Sequence, residues 1–165
     1  MKKYELTAEF IEKWGKKLFR IKALISFGSV EAGELGGYVE KEDNLAQNGN
    51  AWVYGNAEVY GNAEVCGDAR VYGNAWVCGN ADYLLIGRIG SRFSFTTFFK
   101  NKDKGITVSC GCFLGTIAEF RAKVTDTHGN NKHAKIYNLA ADMAELQILG
   151  EEHFDKLNTN KSEPF

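Results

Sequence analysis

The chain predicts a mainly β protein: a short three-sided parallel β-helix with an N-terminal β cap, followed by a small α+β module of a strand, a hairpin and two helices. Two observations carry most of that prediction. Between Asn50 and Ala81 the sequence is written in sixes, with Ala at 51, 57, 63, 69, 75 and 81, Val at 53, 59, 65, 71 and 77, and Gly at 55, 61, 67, 73 and 79. Repetition at a fixed short period is the mark of stacked architectures. After Ala81 the period stops, and a continuous apolar run, Tyr83 to Ile89, takes its place.

The repeat dictates geometry through the side-chain period. Ala and Val lie two apart, so in an extended segment both point to one side and the residue between them points to the other. Each unit is thus expected to bury a small and a medium apolar group and to show water the variable residue: Trp52, Glu58, Glu64, Arg70, Trp76 and Asp82. Gly followed by Asn or Asp makes the corner, because Gly accepts positive φ and Asn bonds its own backbone. Six-residue sides imply a level of about 18 residues. Trp52 should then lie beside Arg70 as a cation–π pair, with Glu58 beside Trp76, Tyr54 beside Tyr72 and Tyr60 beside Cys78.

The remaining elements follow in order. Residues 1–49 are expected to form the cap and the entry to the shaft. Lys3 to Leu6 and Leu18 to Leu24 are strands around a turn at Trp14 to Lys17, with a short helix over Thr7 to Lys13 as an alternative. Val30, Leu35, Val39 and Leu45 are inward candidates, and Gly33, Gly36 and Gly37 are expected at corners. Residues 50–82 are the shaft. In residues 83–150, Tyr83 to Ile89 and Phe93 to Lys100 are strands, and the polar turn Asn101 to Gly105 leads into Ile106 to Cys110. Thr116 with Glu119 is a capping box, and Gly129 ends the helix it opens. A second helix runs from about Asn131 to Leu149, with Tyr137, Ala140, Ala141, Ala144 and Ile148 on its apolar stripe. Residues 151–165 are a polar tail, expected to be frayed.

Val-x-x-x-Ala-x resembles the hexapeptide pattern of left-handed β-helix proteins, which include acyltransferases and γ-type carbonic anhydrases. A closer resemblance is to phage and prophage proteins carrying runs of Gly-Asn-Ala-x-Val-Tyr. It extends to Leu18 to Leu24, Leu35 to Glu40, Ile89 to Arg92 and Cys110 to Phe113 of this chain. The likeness implies a left-handed shaft and a phage-type interaction protein. Acyl transfer in the hexapeptide family uses a His at a subunit cleft, and the γ-type anhydrases need three His on zinc. The only His residues here are 128, 133 and 153, all outside the repeat. The departure counts against both activities.

Charge is unevenly distributed. Residues 83–134 hold eight basic and three acidic side chains, a net +5, although the whole chain carries −1. A basic module favours an anionic partner. Within it, Gly87 to Arg92 is a Gly-rich turn in which backbone N–H groups, the Ser91 hydroxyl and the Arg88 and Arg92 forks suit phosphate. Arg88, Gly90, Ser91, Arg92, Thr96 and Thr97 are therefore the candidate anion-binding residues. The turn lacks the Gly-Lys-Ser/Thr of a P-loop.

The aromatic and charged residues Trp52, Tyr54, Tyr60, Arg70, Tyr72 and Trp76 form the candidate interaction face. Cys110 and Cys112 are weak metal or nucleophile candidates, since no second pair of ligands accompanies them; buried, inert thiols are the simpler expectation. No catalytic residue and no cofactor are expected. The four Cys residues read as reduced thiols. With no membrane-spanning run and no signal-like start, a location in the host cytosol is expected.

Three function classes follow. The leading one is a non-enzymatic phage-type binding protein, with a counter-defence role among its uses, docking a host protein or itself. The first alternative sequesters a phosphorylated small molecule or nucleotide signal at Arg88 to Thr97. The second is a hexapeptide acyltransferase or a Cys-dependent enzyme. Neither membrane nor nucleic acid is an expected partner.

Overall fold

The structure, a computed structural model, describes residues 1–159. It begins with a long hairpin, β1 (Tyr4–Lys13) and β2 (Lys16–Ala23), whose antiparallel register runs from Tyr4 opposite Ala23 to Lys13 opposite Lys16. The alternating pattern of Tyr4-Glu5-Leu6-Thr7 continues as strand through Lys13, so the short helix considered for Thr7 to Lys13 does not form. β3 (Leu35–Val39) pairs with β2. The repeat segment contributes only two-residue strands: β4 (Trp52–Val53), β5 (Glu58–Val59), β6 (Arg70–Val71) and β7 (Trp76–Val77).

The predicted parallel β-helix, or solenoid, is corrected by this topology. β1, β2, β3, β5 and β7 form one mixed sheet, β4 and β6 a separate pair, and β8 (Tyr83–Ile89), β9 (Ser94–Lys100), β10 (Ile106–Cys110) and β11 (Phe113–Thr116) an antiparallel sheet in the order β11-β10-β9-β8. The long ladders are all antiparallel: β1 with β2, β8 with β9, β9 with β10. Among the described residues, parallel pairing is limited to three two-residue contacts, Trp52 with Arg70 and Val53 with Val71, Glu58 with Trp76 and Val59 with Val77, and Tyr38-Val39 with Glu58-Val59, and to the single bridge of Leu45 with Val65. The reason is local. Gly55, Gly61, Gly67 and Gly73 turn the chain with φ of 60 to 67°, which leaves each unit too short to extend a ladder of its own. The mixed sheet is completed instead by residues from the N-terminal hairpin.

Burial follows the Ala and Val rows closely. Ala51, Ala57, Ala63, Ala69 and Ala75, with Val53, Val59, Val65, Val71 and Val77, are all at most 1% exposed. Tyr4, Ile21, Val39 and Leu45 pack onto them from the N-terminal side and Phe99 from the C-terminal side. Val30, Val39 and Leu45 are inward as expected, but Leu35 is exposed. Gly36 and Gly37 lie within β3 and not at a corner. A Cβ on Gly37 would sit 2.5 Å from the Ala57 carbonyl oxygen, so close backbone approach is what selects glycine there.

Two variable positions face inward, not to water. Trp52 is fully buried, edge-on to Tyr4 at 6.2 Å and to Phe27 at 5.3 Å. These rings occupy it in place of the expected Arg70 cation. Glu58, 1% exposed, meets Lys13 of the hairpin at 2.7 Å and Lys102 of the β9–β10 turn at 2.5 Å. Lys3 is also buried; its Nζ donates to the Ala51 carbonyl at 2.8 Å and lies 4.8 Å from the Phe27 ring, and burial pulls its ammonium down to about 8.

The antiparallel sheet is covered on both faces. Along β9, Phe99 enters the repeat core, while Phe98 joins Ile106 and Val108 against the helices. α1 (Ile117–His128) opens with the Thr116–Glu119 capping box and closes at Gly129, φ 62°. α2 (Lys132–Ala144) is capped by Asn131 and buries Tyr137, Ala140, Ala141 and Ala144. A π turn over Glu145–Leu149 buries Ile148 and leads to α3 (Glu151–Thr159). The tail expected to be frayed is thus helical as far as Thr159; residues 160–165 lie outside the described residues. Among the described residues, no helix is long and apolar enough to cross a membrane.

The pairing of Glu58 makes an asymmetric prediction. Replacing both Lys13 and Lys102 by Met leaves a buried carboxylate without a counter-charge and is expected to cost about 3–5 kcal/mol in urea unfolding. Glu58→Gln frees two lysines that reach water and should cost less than half of that loss. Equal losses would contradict the assignment.

Candidate anion-binding clefts at one end of the antiparallel sheet

Strand alternation decides where the candidate anion residues fall. β9 turns Thr97 and Phe95 toward the repeat segment and Thr96 and Phe98 toward the helices. The Thr97 hydroxyl accepts a bond from the Arg70 N–H at 3.1 Å, whereas Thr96 donates to the Cys110 Sγ at 3.2 Å. Both threonines are buried. The six candidates therefore do not form one site. Arg88 and Thr97 line one cavity, Ser91 and Arg92 line a second on the opposite face of the sheet, and Gly90 and Thr96 line neither; the two cavities meet at the turns following β8 and β10 and share Ser94 and Gly111 as lining residues.

The first cavity, of about 300 Å³, lies between the repeat segment and the sheet. Arg88 and Thr97 line it, and Arg70, expected on the interaction face, lines it with them. Asn50 and Asp68 form one wall, joined by a 3.1 Å bond from the Asn50 amide to the Asp68 carboxylate. Phe95 lies under the Arg88 guanidinium, 5.6 Å from ring centroid to Cζ, and Phe93 is exposed beside it with φ 50°. Ser109, opposite Thr97 in the ladder, adds a second hydroxyl.

The second cavity, of about 200 Å³, lies between the sheet end and the helix pair. Ser91 and Arg92 line it together with Cys110, Cys112, Lys123 and Tyr137. Gly90 holds the turn close to α2: φ is 80°, and a Cβ there would overlap the Tyr137 hydroxyl. Burial pushes the Tyr137 phenol up to about 12; the neighbouring Cys110 thiol adds to the rise and Arg92 opposes it. Cys112 is exposed. Among the described residues, no group of three His, Cys, Asp or Glu side chains is placed to hold a metal ion, so Cys110 and Cys112 gain no third ligand.

Ion pairing separates the arginines into two kinds. Arg20 pairs with Glu9 at 3.1 Å, and Arg121 with Asp142 at 2.7 Å and Glu145 at 3.2 Å. Among the described residues, Arg70, Arg88 and Arg92 have no carboxylate within ion-pairing distance, and all three line these cavities.

The candidate interaction face is also redistributed. Trp52 is in the core, and Arg70 belongs to the first cavity. Tyr54 and Tyr72 stack at 4.1 Å and 7°, while Tyr60 and Trp76 meet Trp14 of the hairpin turn at 6.1 and 4.9 Å. Trp14, Phe93, Phe95, Asn50 and Asp68 were not among the sequence candidates. Asn50 and Asp68 open repeat units eighteen positions apart, and Phe93 and Phe95 belong to the aromatic run that follows Arg92.

No protein-family model matches the chain, and a search of curated proteins finds no match.

Tyr137 provides a pH test of this geometry. Its folded value lies above the ordinary phenol value near 10, so its contribution to stability is complete below pH 10 and is lost as pH rises from there to about 12. Absorbance titration of wild type against Tyr137→Phe should isolate one late phenol, and Arg92→Gln should move that phenol higher still. A Tyr137 phenol that ionises near 10 would overturn the packing described.

Proposed function

We propose that the protein is a non-enzymatic binding protein that holds a small anionic molecule, of the phosphorylated or nucleotide class, in the cleft between the repeat segment and the antiparallel sheet. The observation that carries this reading is the convergence of Arg70 and Arg88, neither within ion-pairing distance of a carboxylate among the described residues, on one cavity of about 300 Å³. That volume is at the lower end of small-ligand sites. Guanidinium forks favour phosphate and carboxylate oxygens, and the faces of Phe93 and Phe95 offer a platform for a planar group. Asn50, Thr97 and Ser109 supply the few polar groups that fix orientation, and the Asp68 carboxylate, held by the Asn50 amide, suits a hydroxyl or amino group of the ligand and not its phosphate. Sequestration, with no chemical step, also accords with the phage-like sequence resemblance and a counter-defence use.

Calorimetry with AMP, GMP, inorganic phosphate and adenosine tests the proposal. At least one nucleotide should bind saturably and adenosine should not. Arg70→Gln and Arg88→Gln should each weaken binding by about tenfold, the loss of one charge-assisted contact. No binding of any phosphate-bearing probe at millimolar concentration would refute it.

A second reading, docking of a protein partner or a second copy, rests on Trp14. It is 68% exposed at the tip of the first hairpin, on a patch continued by Tyr60 and Trp76. Large apolar side chains clustered at a surface mark interfaces. Light scattering at high concentration should show association that Trp14→Ser abolishes; a monomer throughout would count against self-association.

A further inference from the structure

The second cavity differs in chemistry from the first and opens on the opposite face of the sheet, although the two share Ser94 and Gly111 at the sheet end. Its floor is apolar and aromatic: Phe120, Val124 and Tyr137 are 3%, 4% and 7% exposed. Phe120 meets Tyr137 edge-to-face at 5.7 Å and 88°, Phe113 lies 5.8 Å from Phe120, and His128 lies against Tyr137 at 5.8 Å and 26°. Its rim is cationic. Arg92 comes from the turn after β8 and Lys123 from α1; both are exposed and, among the described residues, neither has a carboxylate within ion-pairing distance. The nearest acid on α1 on the N-terminal side, Glu119, accepts from the Thr116 N–H in the helix cap.

We infer that this cavity is a separate site for a small aromatic carboxylate. A space of about 200 Å³ is below the usual range for drug-sized ligands and suits roughly one ring with an acidic substituent. The ring would lie among Phe113, Phe120 and Tyr137, where offset and edge-to-face contacts are favourable. The carboxylate would lie at the rim between the Arg92 fork and the Lys123 ammonium. The smaller volume and the apolar floor of Phe113, Phe120 and Val124 suit a single ring better than a nucleotide. The site does not depend on the function proposed for that cleft. Thr97 and Arg88 face one side of the sheet, and Cys110 and Tyr137 line the other.

Titration of the full chain with benzoate, followed by amide NMR, tests the site, with benzamide as a neutral control of the same shape. Benzoate should shift Arg92, Lys123 and Tyr137 signals saturably, and benzamide should bind about tenfold more weakly for want of the charge-assisted contacts. Arg92→Gln and Lys123→Gln replace exposed side chains, so the dispersed spectrum should persist while benzoate affinity falls. Arg88→Gln should leave benzoate binding unchanged, and it keeps this test distinct from that of the first cleft. Absence of saturable shifts at these residues, equal binding of benzamide, or an equal loss in Arg88→Gln would overturn the inference.

Discussion

The side chains of ten small positions, the Ala and Val rows between Ala51 and Val77, have to be kept from water by residues that the repeat itself does not contain. Each unit can offer a neighbour only two residues of ladder before a glycine turns the chain. Apolar burial on that scale is the main favourable term available, yet two-residue strands cannot enclose it. The rest of the fold is arranged around this shortfall. The first hairpin and β3 extend the ladder on one side, and Phe99, from one face of the antiparallel sheet, closes the other. Short hydrogen bonds hold the central rows in register, from Tyr54 N–H to the Val71 carbonyl at 2.8 Å and from Tyr60 N–H to the Val77 carbonyl at 2.9 Å.

Polar anchoring follows the same logic. Glu58 is the point where all three parts of the chain meet, with one lysine from the hairpin and one from the β9–β10 turn. Lys102 is held there by a backbone bond of its own, its N–H donating to the Asn74 carbonyl at 3.0 Å. Buried ion pairs are weak evidence of net stability but strong constraints on geometry once their partners are in place. The same docking brings Arg70 under Thr97 and so forms the wall of the first cleft. Binding geometry and core packing therefore depend on one another.

Local rules made much of the C-terminal half legible in the sequence. The Thr116–Glu119 capping box, the Gly129 stop and the stripe from Tyr137 to Ile148 all depend on residues within a few turns of each other. The repeat rows were equally legible as buried positions. What they did not reveal was topology, because an eighteen-residue neighbour relation is compatible both with an independent shaft and with short parallel contacts embedded in a mixed sheet. Trp52 and Glu58 looked like surface positions because alternation puts them opposite Ala and Val. Their burial depends on Tyr4, Phe27, Lys13 and Lys102, none of which lies near them in sequence. The candidate site was half legible for a related reason: the Arg88 to Arg92 turn announces anion chemistry, but Arg88 lies within β8 and lines the first cavity, whereas Arg92 lies in the turn after β8 and lines the second. Arg70 joins the first cleft only through tertiary docking.

Dependence of the Ala and Val rows on both flanking parts implies a single cooperative unit, and native-state amide hydrogen exchange measures that most directly. The Glu58 and Tyr60 amides, bonded to Ala75 and Val77 carbonyls, should exchange with the same opening free energy as the amides of the β9–β10 ladder. Exchange of the repeat amides through an opening that is cheaper by about 2 kcal/mol or more, with the antiparallel sheet still protected, would contradict it.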